Sequence, residues 1–212
     1  MIGGAFGVTL ANARTGDEAA FACIFHDVQP ALLRYLRVIT PEPEDVAGET
    51  WIQVVTGLRR FRGGEQDFRA WLFTIARNRA ADAGRSRHRR PAVPLDMTEA
   101  AQQLTTADAA DQALEAVSTQ AAMELIKSLP REQAEIIMLR VVAGLDAGDV
   151  AKIVGKTPGA VRVAAHRGLR RLAGQVAQAG VTLRVVPTLC MMRCLGSSPA
   201  GPAASTTSRC WT

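Results

Sequence analysis

Six basic side chains and no acidic one fall within residues 152–171. Lys152, Lys156, Arg170 and Arg171 suit phosphate oxygens, and Arg162 offers a planar fork that matches the two major-groove acceptors of guanine. The chemistry open to this cluster is recognition of a polyanion. The residues around it supply a geometry. Gly155 stands where a turn needs a left-handed residue, Thr157 can cap the next helix through its hydroxyl, and Pro158 suits a first helical position. A short helix over about 146–154, with Val150, Ala151 and Val154 inward, precedes a second over about 158–173. The second buries Val161, Ala165, Gly168 and Leu172, and its other faces carry Gly159, Arg162, Val163, His166, Arg167 and Arg170. This is a helix-turn-helix frame, whose second helix is expected to enter the major groove of DNA. A plain helical hairpin with a solvated basic face would share the charge but has no need of the turn chemistry.

A second basic block lies upstream. Residues 57–90 hold ten basic and three acidic side chains, interleaved with Phe61, Phe68, Trp71 and Phe73. Basic grooves with aromatic platforms suit single-stranded DNA, although Phe68 and Trp71 fall on an apolar stripe and are expected in a core. Residues 41–50 carry four acids and no base. That face repels DNA and points to a protein partner. Charge is segregated along the whole chain. Residues 1–90 net +3, residues 91–115 net −5 and residues 116–212 net +7. Basic blocks suit polyanions, whereas the acidic bridge suits a basic surface on a partner.

Catalytic chemistry finds no support. The sequence holds no phosphate-binding loop, paired catalytic carboxylates or nucleophile constellation, so no catalytic residue and no cofactor are expected. Cys23, Cys190, Cys194 and Cys210 do not form a disulfide framework. The Cys190–Cys194 pair has no histidine near it, since His26, His88 and His166 all lie upstream, and no metal site is expected.

Helices must position these groups. With 48% hydrophobic residues the chain can bury cores, and 5% aromatic content argues against a β-sandwich or barrel. No apolar run approaches a membrane span and the N-terminus is not a signal peptide, so no membrane insertion is expected and the expected compartment is cytoplasmic. Residues 17–39 predict an amphipathic helix that Pro30 could kink or restart. A second helix spans about 44–58, with Val46, Trp51, Val54, Val55 and Leu58 inward. Gly63–Gly64 breaks the chain, and a third helix covers about 68–83. Further helices are expected over 113–128 and over 131–143, the latter with Ala134, Ile137, Met138 and Val141 inward. The expected fold is all-α: two small helical domains joined by a flexible acidic linker, the second containing the helix-turn-helix. The boundaries are an N-terminal extension at 1–16, a first domain at 17–90, a linker at 91–112, a second domain at 113–179 and a largely disordered tail at 180–212.

Three stretches carry a family resemblance: PEPEDVAGETWIQVVTGLRRFRG, FRAWLFTIARNRAADAGRSRHRR and SLPREQAEIIMLRVVAGLDAGDVAKIVGKTPGAVRVAAHRGLRRL. In order and spacing the chain resembles a sigma-70-family RNA polymerase sigma factor of the extracytoplasmic-function (ECF) group, over about residues 17–175. The resemblance implies a promoter-specificity subunit, not an enzyme. Such a subunit binds core RNA polymerase, recognises the −10 and −35 elements of promoter DNA and helps to open the duplex. The first domain resembles region 2, whose helix over DVAGETW would dock on the polymerase through Asp45, Glu49 and Trp51. The loop at 59–67 resembles the segment that captures a flipped −10 base, and Arg60, Phe61, Arg62, Arg77, Asn78, Arg79, Arg85 and Arg87 would hold −10 DNA. The second domain resembles region 4. Its −35 positions would be Lys156, Thr157, Gly159, Arg162, Val163, His166, Arg167, Arg170 and Arg171. The acidic linker would thread basic channels of the polymerase, and an anti-sigma factor would mask the polymerase-binding faces. Three departures stand out. Gly48 occupies a position where the family often has Gln, Ala164 one where it often has Arg, and Gly84 interrupts what is often a longer basic helix.

Rival classes explain less. A repressor or activator that never joins polymerase accounts for the helix-turn-helix, but not for the acidic helix or the 68–83 segment. A recombinase needs a nucleophile that is not found. A helical protein-interaction module leaves both basic blocks unexplained.

Overall fold

In the computed structural model, residues 5–89 and 119–178 are described, and every regular element among them is helical. The 91–112 linker, the start of the 113–128 helix and the cysteine-containing tail lie outside the described residues.

The first helix falls where only an extension was expected. Helix α1, Phe6–Thr15, places Phe6, Leu10 and Ala13 one turn apart and buries all three. The Phe6 ring lies 5.7 Å from Phe68. Full burial of a Phe or Leu side chain stabilises a fold by about 1.5–3 kcal/mol, so α1 belongs to the core. The chain reverses at Gly16, and Asp17 caps α2, Glu18–Ile39, by accepting the Ala20 N–H at 3.1 Å. Helix α2 runs through Pro30 without a break and buries Ile24, Val28, Leu32, Tyr35 and Leu36.

Helix α3, Pro43–Leu58, starts on a proline with Glu44 and Asp45 in its first turn, where the helix dipole favours acids. Its inner face is Val46, Ala47, Thr50, Trp51, Val54 and Leu58. Val55 was expected on that face but is 54% exposed. The stripe is already complete at 47, 51, 54 and 58, which turns the next position outward.

Gly63 takes φ +142°, and the Gly64 N–H donates to the Asp67 carboxylate at 2.9 Å. Helix α4 then covers Glu65–Arg89. It is longer than the expected 68–83, and Gly84 does not interrupt it. A single internal glycine costs a helix only about 1 kcal/mol, which the packed N-terminal half of α4 absorbs.

After the undescribed segment, residues 119–127 are helical (α5). Helix α6, Arg131–Ile137, passes into a π-helical turn at Met138–Val142, where the Ala143 N–H reaches back to the Met138 carbonyl. This wider turn rotates Val141, expected inward, to 52% exposure, while Met138 and Leu139 are fully buried. Helix α7 spans Ala147–Val154 and α8 spans Pro158–Gln178.

The two helical blocks share one apolar core. Helix α2 packs on α6 and the π turn, and α4 packs on α7. Among the described residues no helix is long and apolar enough to cross a membrane.

Candidate nucleic-acid interface

The helix-turn-helix forms as its local chemistry dictates. Asp146 caps α7 by accepting the Asp149 N–H at 2.8 Å, and chiefly that bond holds its carboxyl below the ordinary 3.8. Gly155 ends α7 at φ +70°, a conformation that other residues adopt only with strain. Thr157 then accepts the Ala160 N–H at 3.2 Å, and Pro158 opens α8. Val161 is fully buried, and a side-chain carbon added at Gly168 would lie 2.6 Å from Ile137 Cδ1. Glycine therefore lets α8 lie close against α6. Ala164 is also buried. Its methyl belongs to the apolar face of α8 and makes no part of the outward face.

The outward face of α8 carries Gly159, Arg162, Val163, His166, Arg167 and Arg170, all exposed. Among the described residues Arg162, Arg167 and Arg170 have no side-chain hydrogen bond or ion pair. The two flanking cations are engaged. Lys156 pairs with Glu132 at 2.9 Å, and Arg171 donates to Gln133 at 2.7 Å. Lys152, on α7, pairs with Asp149, which raises its pKa.

The first block is different. Arg60 is exposed, but Arg62 folds back onto the carbonyls of Arg59 and Phe61. Phe61 stacks on Trp71 with centroids 5.0 Å apart and meets Phe68 edge-on, so it is partly covered. Along α4, Asn78 is exposed. Arg79 donates twice to Gln53, Arg85 pairs with Asp82, and Arg87 pairs with Glu42 at 3.0 Å. Arg69, counted in the basic block from sequence, is only 5% exposed and bridges Asp27 at 2.9 Å and Glu65 at 3.0 Å. Arg77 donates to Glu135 of α6 at 2.7 Å. The same carboxylate oxygen accepts the hydroxyl of Tyr35 at 3.2 Å, and Tyr35 is fully buried. Burial first, and then the Glu135 charge, hold this phenol well above its ordinary 10.0. Arg131 adds a bond to the Ile39 carbonyl at 3.3 Å. Glu135 thus joins α2, α4 and α6.

On α3, Asp45 and Glu49 share one exposed face and have no side-chain hydrogen bond or ion pair among the described residues. Trp51 does not join them. It is 7% exposed, donates its indole N–H to Gln29 at 2.6 Å and packs with Phe25. It supports α3 from inside, because its position on the helix is on the buried stripe. What sequence reasoning missed is Ile52, 70% exposed one turn after Glu49. Its signal was its spacing from the two acids. Gly48 lies on the same open face, with nothing within 4 Å of where a side chain would begin.

Comparison with known proteins agrees with both blocks. The family described as Sigma-70 region 2 matches residues 24–90, and Sigma-70, region 4 matches residues 119–172. The chain is 39% identical over 189 residues to the ECF RNA polymerase sigma factor SigD of Mycobacterium tuberculosis, covering 85% of this chain and 88% of that one. It is 35% identical over 178 residues to the ECF RNA polymerase sigma factor ShbA of Streptomyces griseus, covering 78% and 92%. Among solved structures it resembles CnrH in complex with the cytosolic domain of CnrY, with a TM-score of 0.55 at 21% identity, covering 82% and 98%. It also resembles RpoE of Bartonella quintana in complex with the anti-sigma factor NepR, with a TM-score of 0.54 at 23% identity, covering 74% and 96%.

Proposed function

Because the chain belongs to the ECF group of the sigma-70 family of RNA polymerase sigma factors, we propose that it binds core RNA polymerase, reads the −10 and −35 elements of promoters and helps to open the duplex. The observation that carries this reading is the outward face of α8, where three arginines without internal partners stand on a helix-turn-helix. Arg162 lies near the start of α8, within reach of base edges, and Arg167 and Arg170 follow. Lys156 and Arg171 flank this face and hold phosphates by exchanging weak surface partners for DNA.

The −10 element falls to the first block. Arg60, Phe61 and Arg62 line its loop, and Arg77, Asn78, Arg79, Arg85 and Arg87 follow along α4. Arg77 keeps its Nε on Glu135, so its terminal guanidinium nitrogens are what it offers DNA. Asp45 and Glu49, with Ile52 beside them, form the polymerase-docking face, and the acid-only stretch at 41–50 supports this. The polymerase supplies all bond chemistry, and the chain takes no catalytic part. We assign it to the cytoplasm, in two helical domains on either side of the acidic linker that pack on one another through the shared core. Its ECF membership supports an anti-sigma partner that covers the polymerase-docking face, as NepR is the anti-sigma partner of the Bartonella quintana protein.

The test is run-off transcription with purified core polymerase over a promoter library. The expected result is initiation from a discrete promoter class, lost on double charge reversal at Asp45 and Glu49 with the helical circular dichroism intact. Unchanged core affinity in that variant would remove the docking assignment.

A further inference from the structure

We propose that Val163 reads the C5-methyl group of a thymine in the −35 element, so that this promoter class carries a thymine at one fixed position for an apolar reason. The inference rests on the reading of α8 as the −35 recognition helix and goes beyond it by naming one base and one functional group.

Val163 is 49% exposed and is one of five large hydrophobic side chains left open among the described residues. Its place on the helix is specific. At about 100° per residue, it stands about 130° around the helix from the centre of the stripe formed by Val161, Ala164 and Gly168. It therefore lies on the outward face, with Arg162 and His166 to one side and Arg167 to the other. Gly159 and Ala160, one turn earlier, are small and exposed, and a side chain built at Gly159 would meet nothing within 4 Å. The helix can therefore approach a groove floor closely at this turn.

Folding does not account for a valine here. It fills no core space, and a β-branched residue on an open helix face is less favourable than alanine. Nor can it hydrogen-bond or pair with phosphate. Of the groups that base pairs present in the major groove, the thymine methyl is the one apolar group that projects into it, the C5–H of cytosine being flush with the base edge. A valine set between arginines therefore has the thymine methyl as its best apolar partner on the groove floor. Covering one methyl-sized group corresponds to about a three- to fivefold change in affinity.

The experiment uses holoenzyme assembled from the full chain and core polymerase. Promoter selection first defines the −35 site. Each thymine of that site, on either strand, is then replaced singly by deoxyuridine, which deletes the methyl group and preserves base pairing. One replacement is expected to weaken promoter binding about three- to fivefold. Val163→Ala should make holoenzyme indifferent to that replacement, and Val163→Ile, which keeps apolar reach, should restore the sensitivity. Absence of any uracil-sensitive position, or a sensitivity that persists unchanged in Val163→Ala, overturns the inference while leaving the sigma-factor reading intact. Equal loss at all promoters in Val163→Ala identifies a protein contact at this face and also overturns it. Failure of the unaltered holoenzyme to select any promoter overturns the broader reading, and this inference falls with it.

Discussion

Arginine serves opposite ends in the two blocks. In α4 the guanidinium groups of Arg69, Arg77, Arg79, Arg85 and Arg87 each have a carboxylate or amide partner within the protein. On the outward face of α8, Arg162, Arg167 and Arg170 have none among the described residues. Both segments look alike as counts of positive charge. The difference shows that a basic stretch contains two kinds of arginine, those already engaged within the protein, which meet DNA only by sharing or exchanging a partner, and those left open to a ligand.

The largest effect should come from removing a structural arginine. Arg69→Ala removes a buried guanidinium together with its bonds to Asp27 and Glu65, and breaking such a buried pair should cost about 3–5 kcal/mol in denaturant unfolding. Arg167→Ala should stay within about 0.5 kcal/mol in the same assay. Equal costs for the two would erase the distinction drawn between the blocks.

Glu135→Ala comes next, because it leaves the Tyr35 hydroxyl and Arg77 without their shared acceptor. The expected loss is about 1–3 kcal/mol. The pH dependence sharpens this. Tyr35 has a folded pKa above its ordinary 10.0, so its contribution is complete below that value and fades as pH rises through the folded pKa. Unfolding measured from pH 8 upward should show this alkaline loss in the native chain and not in Tyr35→Phe.

Arg162→Ala should leave stability unchanged yet cost about 1–3 kcal/mol at a matching −35 site and relax its base preference. Arg171→Ala should weaken binding to all sequences and lower the salt slope by about one. A randomised −35 library at two salt concentrations separates the two, and a motif altered only by Arg171→Ala would reverse the assigned roles.

The smallest effect concerns the α7 cap. Asp146→Ala should cost about 0.5–2 kcal/mol. Because the folded pKa of Asp146 is lowered, its contribution is present above the ordinary 3.8 and is lost as pH falls through the folded value. The gap between native chain and variant should therefore close in acid.

Elements governed by local chemistry were legible in the sequence. The α2 and α3 spans, the Gly155 turn, the Thr157 cap and the buried Val161 all follow from residues within a turn or two of one another. Features set by distant partners were not. Arg69 finds Asp27 across 42 residues and Arg77 finds Glu135 across 58, and neither leaves a periodic trace. Val141 was misplaced because a π turn interrupts the helical period on which its orientation was judged. Helix α1 was missed although Phe6, Leu10 and Ala13 already lie at helical spacing, since they are interleaved with glycine and polar residues. Trp51 was read as a contact residue from the resemblance, while its own place on the apolar stripe of α3 had already marked it as core.

The contact between Tyr35 and Glu135 closes over 100 residues of chain. At ribosomal elongation rates of about 5–20 residues per second, Tyr35 leaves the ribosome roughly 5–20 s before its acceptor does. During that interval the apolar surface of α2 that later receives α6 and the π turn lacks those two partners. The nascent first block must persist through this interval as a separate folded body or be shielded by a chaperone. Synthesis rate thus becomes a determinant of yield for this protein, and slow translation lengthens the period in which α2 can aggregate.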